Sequence, residues 1–351
     1  SPSAAAPATR AESAALPGVK AVTPQEIVAR SVSESARASI DMDAAPHYQL
    51  TLDLDWGLFT YSGSETIAFK NTETDALTEL NFLLYPNGEE LAAPGTKHLL
   101  VKDVRVDGAV VAAEQHGDRL RIPLSAPLAQ QASVVVTMDF KGVIYRQEPG
   151  AGDMQKLALN QLMQMVMGES KARGGYGVFS YGDRIVSLGL WYPVLAAYDA
   201  HGWDVENGGS VGDVSYFDVA NYDVTITAPA DVAVVSTGVE IDRTVEGNTQ
   251  RLRVLAGAVR EFTVEASKDF GHQSATVDGV VIRSWFLKDH AASGAAVLEH
   301  ASGALRLYNQ LFGPYPFREL DVVEAPLQGG AGGGEFPGLV TIGTMFYASD
   351  A

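Results

Sequence analysis

The chain has 351 residues, of which 46% are hydrophobic and 19% are charged, a composition typical of a globular protein with a sizeable core. Its formal net charge of −18 argues against nucleic acids and anionic membrane surfaces as partners. Cysteine is absent, which excludes disulfides and cysteine-ligated metals, and no apolar run approaches the roughly 18 residues of a membrane span.

The amino-terminal segment is dominated by Ala, Pro and Ser, and such a segment cannot bury enough apolar surface to order itself. We interpret residues 1–44 as a disordered or extended tether. Tethers of this kind often follow the cleavage site of exported bacterial proteins and lipoproteins, so the segment predicts a periplasmic, extracellular or lipid-anchored protein. A disordered terminus of a cytosolic protein is the alternative.

Short β-strands dominate from residue 45 to residue 270. Residues 48–56 alternate, with Leu50, Leu52 and Leu54 on one face, which predicts a half-buried antiparallel strand. Turn signals such as Asp107-Gly108 separate further strand patterns. These lie at 65–70, 79–84, 100–106, 120–122, 133–140, 222–227, 232–236, 251–254 and 262–266. Many short strands at this spacing predict a saddle-like antiparallel β-sandwich.

Two insertions interrupt the strand pattern. Residues 146–185 contain a methionine cluster that we interpret as core filler or a short buried helix in preference to an adaptable contact surface. Its members are Met154, Met163, Met165 and Met167. Residues 199–217 are predicted to form a polar, glycine-rich loop that carries Trp203.

The pattern changes after Phe270. A predicted strand at 280–287 precedes a predicted helix at 289–312, and further strands are predicted at 320–325 and 339–346. The helix is expected to bury one apolar stripe, formed by Val297, Ala301, Ala304, Tyr308 and Leu311. This order of elements is typical of an α+β fragment rather than of a continuing sandwich.

The familiar motifs of catalysis are missing from the sequence. No two of the seven histidines form an HExxH pattern, and we interpret His300 as a solvent-facing or otherwise satisfied helix residue. There is no Gly-x-Ser-x-Gly nucleophile motif, and the glycine-rich segment 329–334 lacks the Lys-Ser/Thr of a phosphate-binding loop. We therefore predict no catalytic residue and no metal ligand within this chain.

Glu335 is the candidate binding residue, and it follows Gly332, Gly333 and Gly334 directly. Glycines allow another backbone to approach closely, so at a strand they could pair with an extended peptide by strand addition. A carboxylate at the end of that edge could hold a free α-amino group through a charge-assisted hydrogen bond. From these residues alone, a flexible hairpin loop with a solvated Glu335 remains the alternative.

Several motifs occur in a characteristic order. They are SGSETI at 62–67, LYPN at 84–87, WYP at 191–193, YDVTI at 222–226, STG at 236–238, YNQLFGPYPF at 308–317, LDVV at 320–323 and GGEFPGLV at 333–340. Over residues 45–347 this series resembles the gluzincin zinc aminopeptidases, the family of membrane alanyl aminopeptidase and leukotriene hydrolase.

The resemblance implies a mainly β fold: a saddle-like β-sandwich amino-terminal domain at 45–270, followed by the α+β start of a thermolysin-like catalytic domain at 271–351, truncated. Glu335 matches the glutamate of the family's Gly-x-Met-Glu-Asn motif, which recognises the free amino terminus of the substrate. Gly332 to Gly334 match the positions whose backbone aligns the peptide. The sequence departs from the motif at two positions, where Gly334 replaces Met and Phe336 replaces Asn.

The resemblance also implies residues that this chain lacks. In the family, HExxH and a downstream Glu bind zinc, the HExxH Glu is the general base, and a later Tyr stabilises the tetrahedral intermediate. All of these follow the position of Glu335, and the residues after Glu335 here contain neither His nor Glu. An open end of this kind is expected to expose apolar surface around 339–346.

The predicted function is the amino-terminal portion of a zinc aminopeptidase that removes amino-terminal residues from peptides. We expect the chain to be inactive alone, zinc to belong to the full-length protein, and the partners to be a peptide amino terminus and the missing carboxyl-terminal part. A non-catalytic peptide- or protein-binding scaffold of the same family is the alternative.

Overall fold

The computed structural model describes residues 22–37, 42, 44–88, 91, 96–148, 176–205, 216–329 and 331–347. Three predictions concern residues outside these ranges: the tether over residues 1–21, the methionine cluster, and the loop over 206–215. The described part of the chain is mainly β, as predicted.

The strands of the described residues, in chain order, are β1 (His47–Asp55), β2 (Thr60–Lys70), β3 (Leu77–Leu83), β4 (Leu99–Val106), β5 (Ala109–Val110), β6 (Glu114–His116), β7 (Arg119–Leu128), β8 (Ser133–Val143), β9 (Phe179–Gly182), β10 (Ile185–Leu188), β11 (Val194–Leu195), β12 (Tyr198–Asp199), β13 (Gly202–Trp203), β14 (Ala220–Pro229), β15 (Ala233–Ser236), β16 (Val239–Glu246), β17 (Thr249–Val259), β18 (Val264–Ser267), β19 (Phe270–Val277), β20 (Val280–Leu287), β21 (Glu319–Ala325), β22 (Gly333–Phe336) and β23 (Leu339–Gly343). The α-helices are α1 (Pro24–Ser31), α2 (Glu34–Arg37) and α3 (Ala291–Phe312), and 3₁₀ turns lie at Tyr85–Asn87, Lys288–His290 and Thr344–Phe346.

An eight-stranded sheet is the largest unit, in the spatial order β16-β17-β14-β1-β2-β8-β4-β5. Two four-stranded sheets, β15-β18-β10-β9 and β11-β3-β7-β6, and the hairpin β12-β13 accompany it. One large hydrophobic core contains buried residues from the eight-stranded sheet and from both four-stranded sheets. Layers of sheet around a shared core are the arrangement of a β-sandwich.

Strand β1 shows both the success and the limit of the strand prediction. Leu50, Leu52 and Leu54 are buried, whereas Asp53 and Asp55 are exposed, as alternation requires. The pairing is antiparallel with β2, as predicted, but it is parallel with β14 on the other side. The purely antiparallel prediction is therefore wrong for this strand.

The Trp191-Tyr192 pair lies in an aromatic centre of the core. Both side chains are fully buried, and the Tyr61 hydroxyl donates a hydrogen bond to the Trp191 carbonyl at 2.6 Å. Tyr48 and Tyr222 stack face to face with their ring centroids 4.8 Å apart. These aromatic side chains pack the core between the sheets.

The tether prediction is wrong for residues 24–37, which form α1 and α2. Helix α1 begins with a capping box in which Thr23 and Glu26 bond each other's backbone N–H groups, and it buries Ile27 and Val28. The Gly257 N–H donates to Ser31 Oγ at 2.8 Å, so the helix packs on β17. Burial of the apolar side chains of Ile27, Val28 and Val32 stabilises this segment.

The segment after α1 also contacts the carboxyl-terminal part of the chain. Val32 forms a β-bridge with Phe317, and the Ser33 N–H donates to the Pro316 carbonyl at 2.8 Å. Arg318 donates back to the carbonyls of Ala29 and Val32 at 3.1 and 3.3 Å. The amino-terminal segment therefore bridges β17 and the start of β21.

A five-stranded mixed sheet forms the carboxyl-terminal part, in the order β19-β20-β21-β23-β22. Strands β20, β21 and β23 are parallel, and α3 is the crossover between β20 and β21, as the α+β prediction required. The sheet starts at Phe270, beside the predicted domain boundary; the division of the chain into domains stays a prediction.

The predicted apolar stripe of α3 is confirmed at Ala301, which packs against a buried cluster, and is wrong at the carboxyl-terminal end of the helix. Tyr308 and Leu311 are exposed, whereas the buried residues are Gly294, Ser302 and Leu305. The helix approaches β20 so closely that a Cβ on Gly294 would overlap the Phe286 ring. Small residues on the inner face produce this close packing, and a search for large apolar side chains does not detect them.

Exposed apolar side chains cluster at the end of α3, where Leu307, Tyr308, Leu311 and Phe312 all face solvent. The predicted exposure around 339–346 holds for Phe346 but not for Leu339, which is fully buried. The predicted strand at 339–346 also ends earlier, at Gly343. Within the described ranges no helix has the length and apolar character needed to cross a membrane.

Candidate functional site

The glycine-rich segment and Glu335 form the edge of the five-stranded sheet. Strand β22 pairs with β23 on one side, and no strand of the described residues pairs with its other side. Gly333 and Gly334 therefore lie on an edge strand, and Gly332 directly precedes it. An open strand edge presents backbone donors and acceptors to a further strand.

The register of the hairpin shows which backbone groups are available. The Gly343 N–H donates to the Gly332 carbonyl at 3.0 Å, so Gly332 belongs to a hydrogen-bonded pair of the ladder. Hydrogen-bonded and non-hydrogen-bonded pairs alternate in an antiparallel ladder. The N–H and C=O groups of Gly333 and Glu335, which occupy the alternate positions, therefore point away from β23 towards the open edge.

Glu335 combines exposure with the absence of a partner. Its side chain is exposed, and among the described residues no hydrogen-bond donor or cation contacts its carboxylate. A solvated carboxylate at the open edge can accept hydrogen bonds from a ligand without first breaking an ion pair. Paired with the outward backbone groups, it can bind an extended peptide that ends in an ammonium group.

All three glycines have close neighbours, and a Cβ on Gly333 would lie 3.1 Å from the Thr341 carbonyl oxygen. A Cβ on Gly334 would lie 2.9 Å from Thr341 Oγ1, the hydroxyl that donates to the Gly334 carbonyl at 3.2 Å. A Cβ on Gly332 would lie 3.1 Å from the Phe346 ring. Gly334, at the position where the family motif has Met, thus accommodates Thr341 on the neighbouring strand.

Pro337 and Gly338 connect β22 to β23 and were not interpreted from the sequence. Gly338 has a φ of +77°, which glycine adopts without strain, and Pro337 supplies the restricted φ that suits the first position of such a turn. The Pro-Gly pair was a readable turn signal. It fixes the hairpin that holds Glu335 at the sheet edge.

A buried acid lies at the carboxyl end of β21. Glu324 accepts a hydrogen bond from the Leu287 N–H at 2.9 Å, and its other carboxylate oxygen is hydrogen-bonded to the ring nitrogen Nδ1 of His290 at 2.8 Å. Burial raises the pKa of the Glu324 carboxyl above its ordinary value. The pair joins the ends of β20 and β21, and because its members are far apart in the sequence no motif could reveal it.

The described residues do not fit a zinc site. Nowhere in those ranges do three or more His, Asp or Glu side chains come together in an arrangement able to hold a metal ion. Structural and catalytic zinc sites use three or four such protein ligands.

Comparisons with solved structures bear on this geometry. An M1 zinc metallopeptidase from Deinococcus radiodurans superposes with a TM-score of 0.54 and 16% identity, covering 87% of this chain and 62% of that chain. A variant from the same organism with the substrate Tyr-Ser-Ala bound gives 0.54 and 17%, covering 85% and 60%. A two-domain M1 zinc metallopeptidase variant with L-tryptophan bound gives 0.56 and 16%, covering 87% and 62%.

The fold is that of M1 zinc metallopeptidases. The M1 fold agrees with the predicted β-sandwich amino-terminal part followed by an α+β part. The chain spans about 60% of the length of these structures. No protein-family model and no curated protein matches the sequence. The finer resemblance to the branch of membrane alanyl aminopeptidase and leukotriene hydrolase stays a prediction, as do the roles of Glu335 and Gly332 to Gly334.

Proposed function

We propose that this chain is the amino-terminal part of an M1 zinc aminopeptidase and that its edge strand β22 binds the amino-terminal end of a peptide. The observation that carries the proposal is Glu335, an exposed carboxylate without a partner among the described residues, on an open strand edge. The M1 fold and the Tyr-Ser-Ala and L-tryptophan ligands of the structural neighbours support it.

In this proposal the backbone and the carboxylate have separate tasks. The outward N–H and C=O groups of Gly333 and Glu335 pair with the peptide backbone and set its direction. The Glu335 carboxylate accepts hydrogen bonds from the protonated α-amino group and thereby selects chain ends over internal segments. Recognition of this kind limits a peptidase to removing terminal residues.

Bond cleavage needs groups that the described residues do not supply. Zinc, named for the structural neighbours, would activate water or polarise the scissile carbonyl when bound. Its ligands would have to come from outside the described ranges, since these contain no suitable cluster. The described residues therefore account for peptide binding and not for hydrolysis.

The first prediction concerns the amino group. We expect Tyr-Ser-Ala to bind the chain at least about tenfold more tightly than N-acetyl-Tyr-Ser-Ala, because one charge-assisted hydrogen bond contributes roughly 1.5–3 kcal/mol. Glu335→Gln should abolish this preference, since a neutral amide attracts an ammonium group weakly. Isothermal titration calorimetry measures both affinities. Glu246→Gln, an exposed glutamate at the end of β16, is the matched control and should retain the preference.

If the unsubstituted chain does not bind free Tyr-Ser-Ala more tightly than the acetylated peptide, the proposed function is contradicted. If it nevertheless binds both peptides measurably and with equal affinity, the result favours the non-catalytic scaffold. A preference that survives Glu335→Gln would remove Glu335 from the site while leaving peptide binding in place.

The second prediction concerns the metal. The purified chain of 351 residues should carry far less than one zinc per molecule after dialysis and should not cleave an aminoacyl reporter. Elemental analysis and a fluorescence assay measure the two quantities. Zinc close to one per chain, together with turnover that a chelator abolishes, would show that ligands are present and would contradict the prediction.

A further inference from the structure

The segment that leads into the edge strand is attached to the small sheet of β9 and β10. We call residues 326–328 the approach segment; all three are buried, and they precede the glycine-rich residues and Glu335. The Gln147 side chain lies between the approach segment and β9. Its Nε2 donates to Ser180 Oγ at 2.8 Å and also to the Pro326 carbonyl.

The orientation of the Gln147 amide follows from its partners. The Ser180 hydroxyl donates to the Gly177 carbonyl at 2.7 Å, so its oxygen is free to accept from Gln147. An amide NH₂ has two hydrogens, one for Ser180 and one for Pro326. The Gln147 backbone is held as well, because its N–H donates to the Tyr181 carbonyl at 3.0 Å. Hydrogen bonds therefore hold both the backbone and the side-chain amide of Gln147 in place.

Two glycines allow this close approach. Gly177 has a φ of +86°, and a Cβ there would overlap the Pro326 carbonyl and lie 3.0 Å from the Leu327 Cα. A Cβ on Gly182 would overlap the side-chain amide of Gln147. A second link lies beside them, where the Gln328 N–H donates to the Tyr176 carbonyl at 3.0 Å. The joint is thus built from side-chain, backbone and glycine contacts together.

We infer that Gln147 is a positioning residue that sets where the edge strand β22, and with it Glu335, lies relative to the β-rich part of the molecule. The expected effect on peptide binding rests on the proposed function. The positioning of the edge strand rests only on the contacts that Gln147 makes. Without the amide donor, the buried Pro326 carbonyl loses its hydrogen bond from Gln147, and the approach segment gains freedom to move.

The test uses the whole chain and hydrogen exchange, which does not depend on peptide binding. In Gln147→Met, the hydrogen-bonded amides of Leu327, Gln328 and Ala331 should exchange about tenfold faster, a change equivalent to about 1.4 kcal/mol. Gln115→Met is the matched control, because Gln115 is also half-buried and donates Nε2 to a backbone carbonyl, that of Leu99, at 3.0 Å. The control should leave exchange of these three amides within about twofold.

Gln147→Glu gives a second, reversible readout. The ionised carboxylate cannot donate to the Pro326 carbonyl, whereas the protonated carboxyl can. After correction for intrinsic rates, exchange of the Leu327, Gln328 and Ala331 amides should be fast at about pH 8 and should slow towards the unsubstituted value at about pH 4.5. A general loss of packing would not recover on protonation. The ratio of affinities for free and acetylated Tyr-Ser-Ala should fall severalfold in both Gln147 variants at neutral pH.

The inference and the proposed function fail in different ways. Unchanged exchange of the Leu327, Gln328 and Ala331 amides in both Gln147 variants overturns the positioning role, whatever the peptide results. Faster exchange with pH recovery in Gln147→Glu supports that role. A peptide preference in the unsubstituted chain that Glu335→Gln leaves intact overturns the assignment of Glu335 alone.

Discussion

At the scale of single residues, Glu65 is the most unusual group of the β-rich part. It lies on β2, fully buried, and both carboxylate oxygens lack a hydrogen-bond partner within the described ranges. Burial raises the pKa of the Glu65 carboxyl well above its ordinary value and so favours its neutral form in the folded protein. The tyrosines Tyr48, Tyr192 and Tyr222 lie close enough to interact electrostatically with it.

A prediction about pH follows from Glu65. The pKa of Glu65 is higher in the folded than in the unfolded chain. At a pH above the unfolded pKa, folding therefore requires uptake of a proton by Glu65. As a result, the free energy of unfolding falls as the pH rises from the unfolded pKa towards the folded pKa. Glu65→Gln removes this dependence. The variant should therefore gain stability relative to the unsubstituted protein by up to about 1.4 kcal/mol per pH unit between roughly pH 5 and pH 7.

Urea unfolding at several pH values measures that difference. Comparing the two proteins at each pH cancels the contribution of Asp321, whose pKa burial raises to about 6, and of His47, whose pKa burial lowers. A difference in unfolding free energy that does not grow with pH would show that Glu65 is ionised in the folded protein.

The sequence contained part of this information. Tyr61, Glu65 and Ile67 share one face of β2, because side chains alternate along a strand. The predicted strand began at Glu65, too late for Tyr61 to indicate the core face. Glu335, by contrast, was nominated from its neighbours alone, and its position on a free edge required the strand order of the sheet, which is a property of distant segments.

At the scale of elements, the contribution of α1 to the stability of the fold can be tested. Its capping box and the buried side chain of Ile27 indicate that packing, rather than intrinsic helix propensity, holds this eight-residue helix in place. Ile27→Ala should lower the free energy of unfolding by about 2–5 kcal/mol, the usual cost of removing a large buried side chain. Arg30→Ala, on the exposed side of the same helix, should change it by less than about 0.5 kcal/mol.

Urea denaturation of the two variants measures these values. Equal, small effects would mean that α1 contributes little to the fold. Thr23-Pro24-Gln25-Glu26 is a readable capping box with proline at the first helical position, so the helix start was available from the sequence. The Ala/Pro/Ser-rich composition of residues 1–44 as a whole obscured this local signal.

Helix α3 shows a different reason for failure. Its existence and its end before Gly313-Pro314 were predicted, and the structure confirms both. Its face was not, because apolar residues occupy two sides of the helix. Gly294 and Ser302 mark the buried side by their small size, which matters only once Phe286 is known to lie opposite. Periodicity finds amphipathic helices but does not choose between two apolar faces.

At the scale of the whole molecule, the succession of a β-rich part and an α+β part along the chain was predictable, whereas the pairing of distant strands was not. Local alternation revealed many strands and the change after Phe270, because both depend on neighbouring residues. The β1–β14 pair and the order β21-β23-β22 depend on which distant segments bury each other. The edge position of β22 belongs to this second class, and so does the joint at Gln147.

The parallel pairing of β1 with β14 has a consequence for synthesis on the ribosome. Strand β1 ends at Asp55 and its parallel partner β14 ends at Pro229, so the centre of the eight-stranded sheet stays incomplete while the intervening chain is translated. At about 5–20 residues per second this interval is on the order of 10 to 35 seconds. During it the outer edge of β1 is unpaired, and the nascent chain is exposed to wrong strand pairing for far longer than a strand closed by a local hairpin.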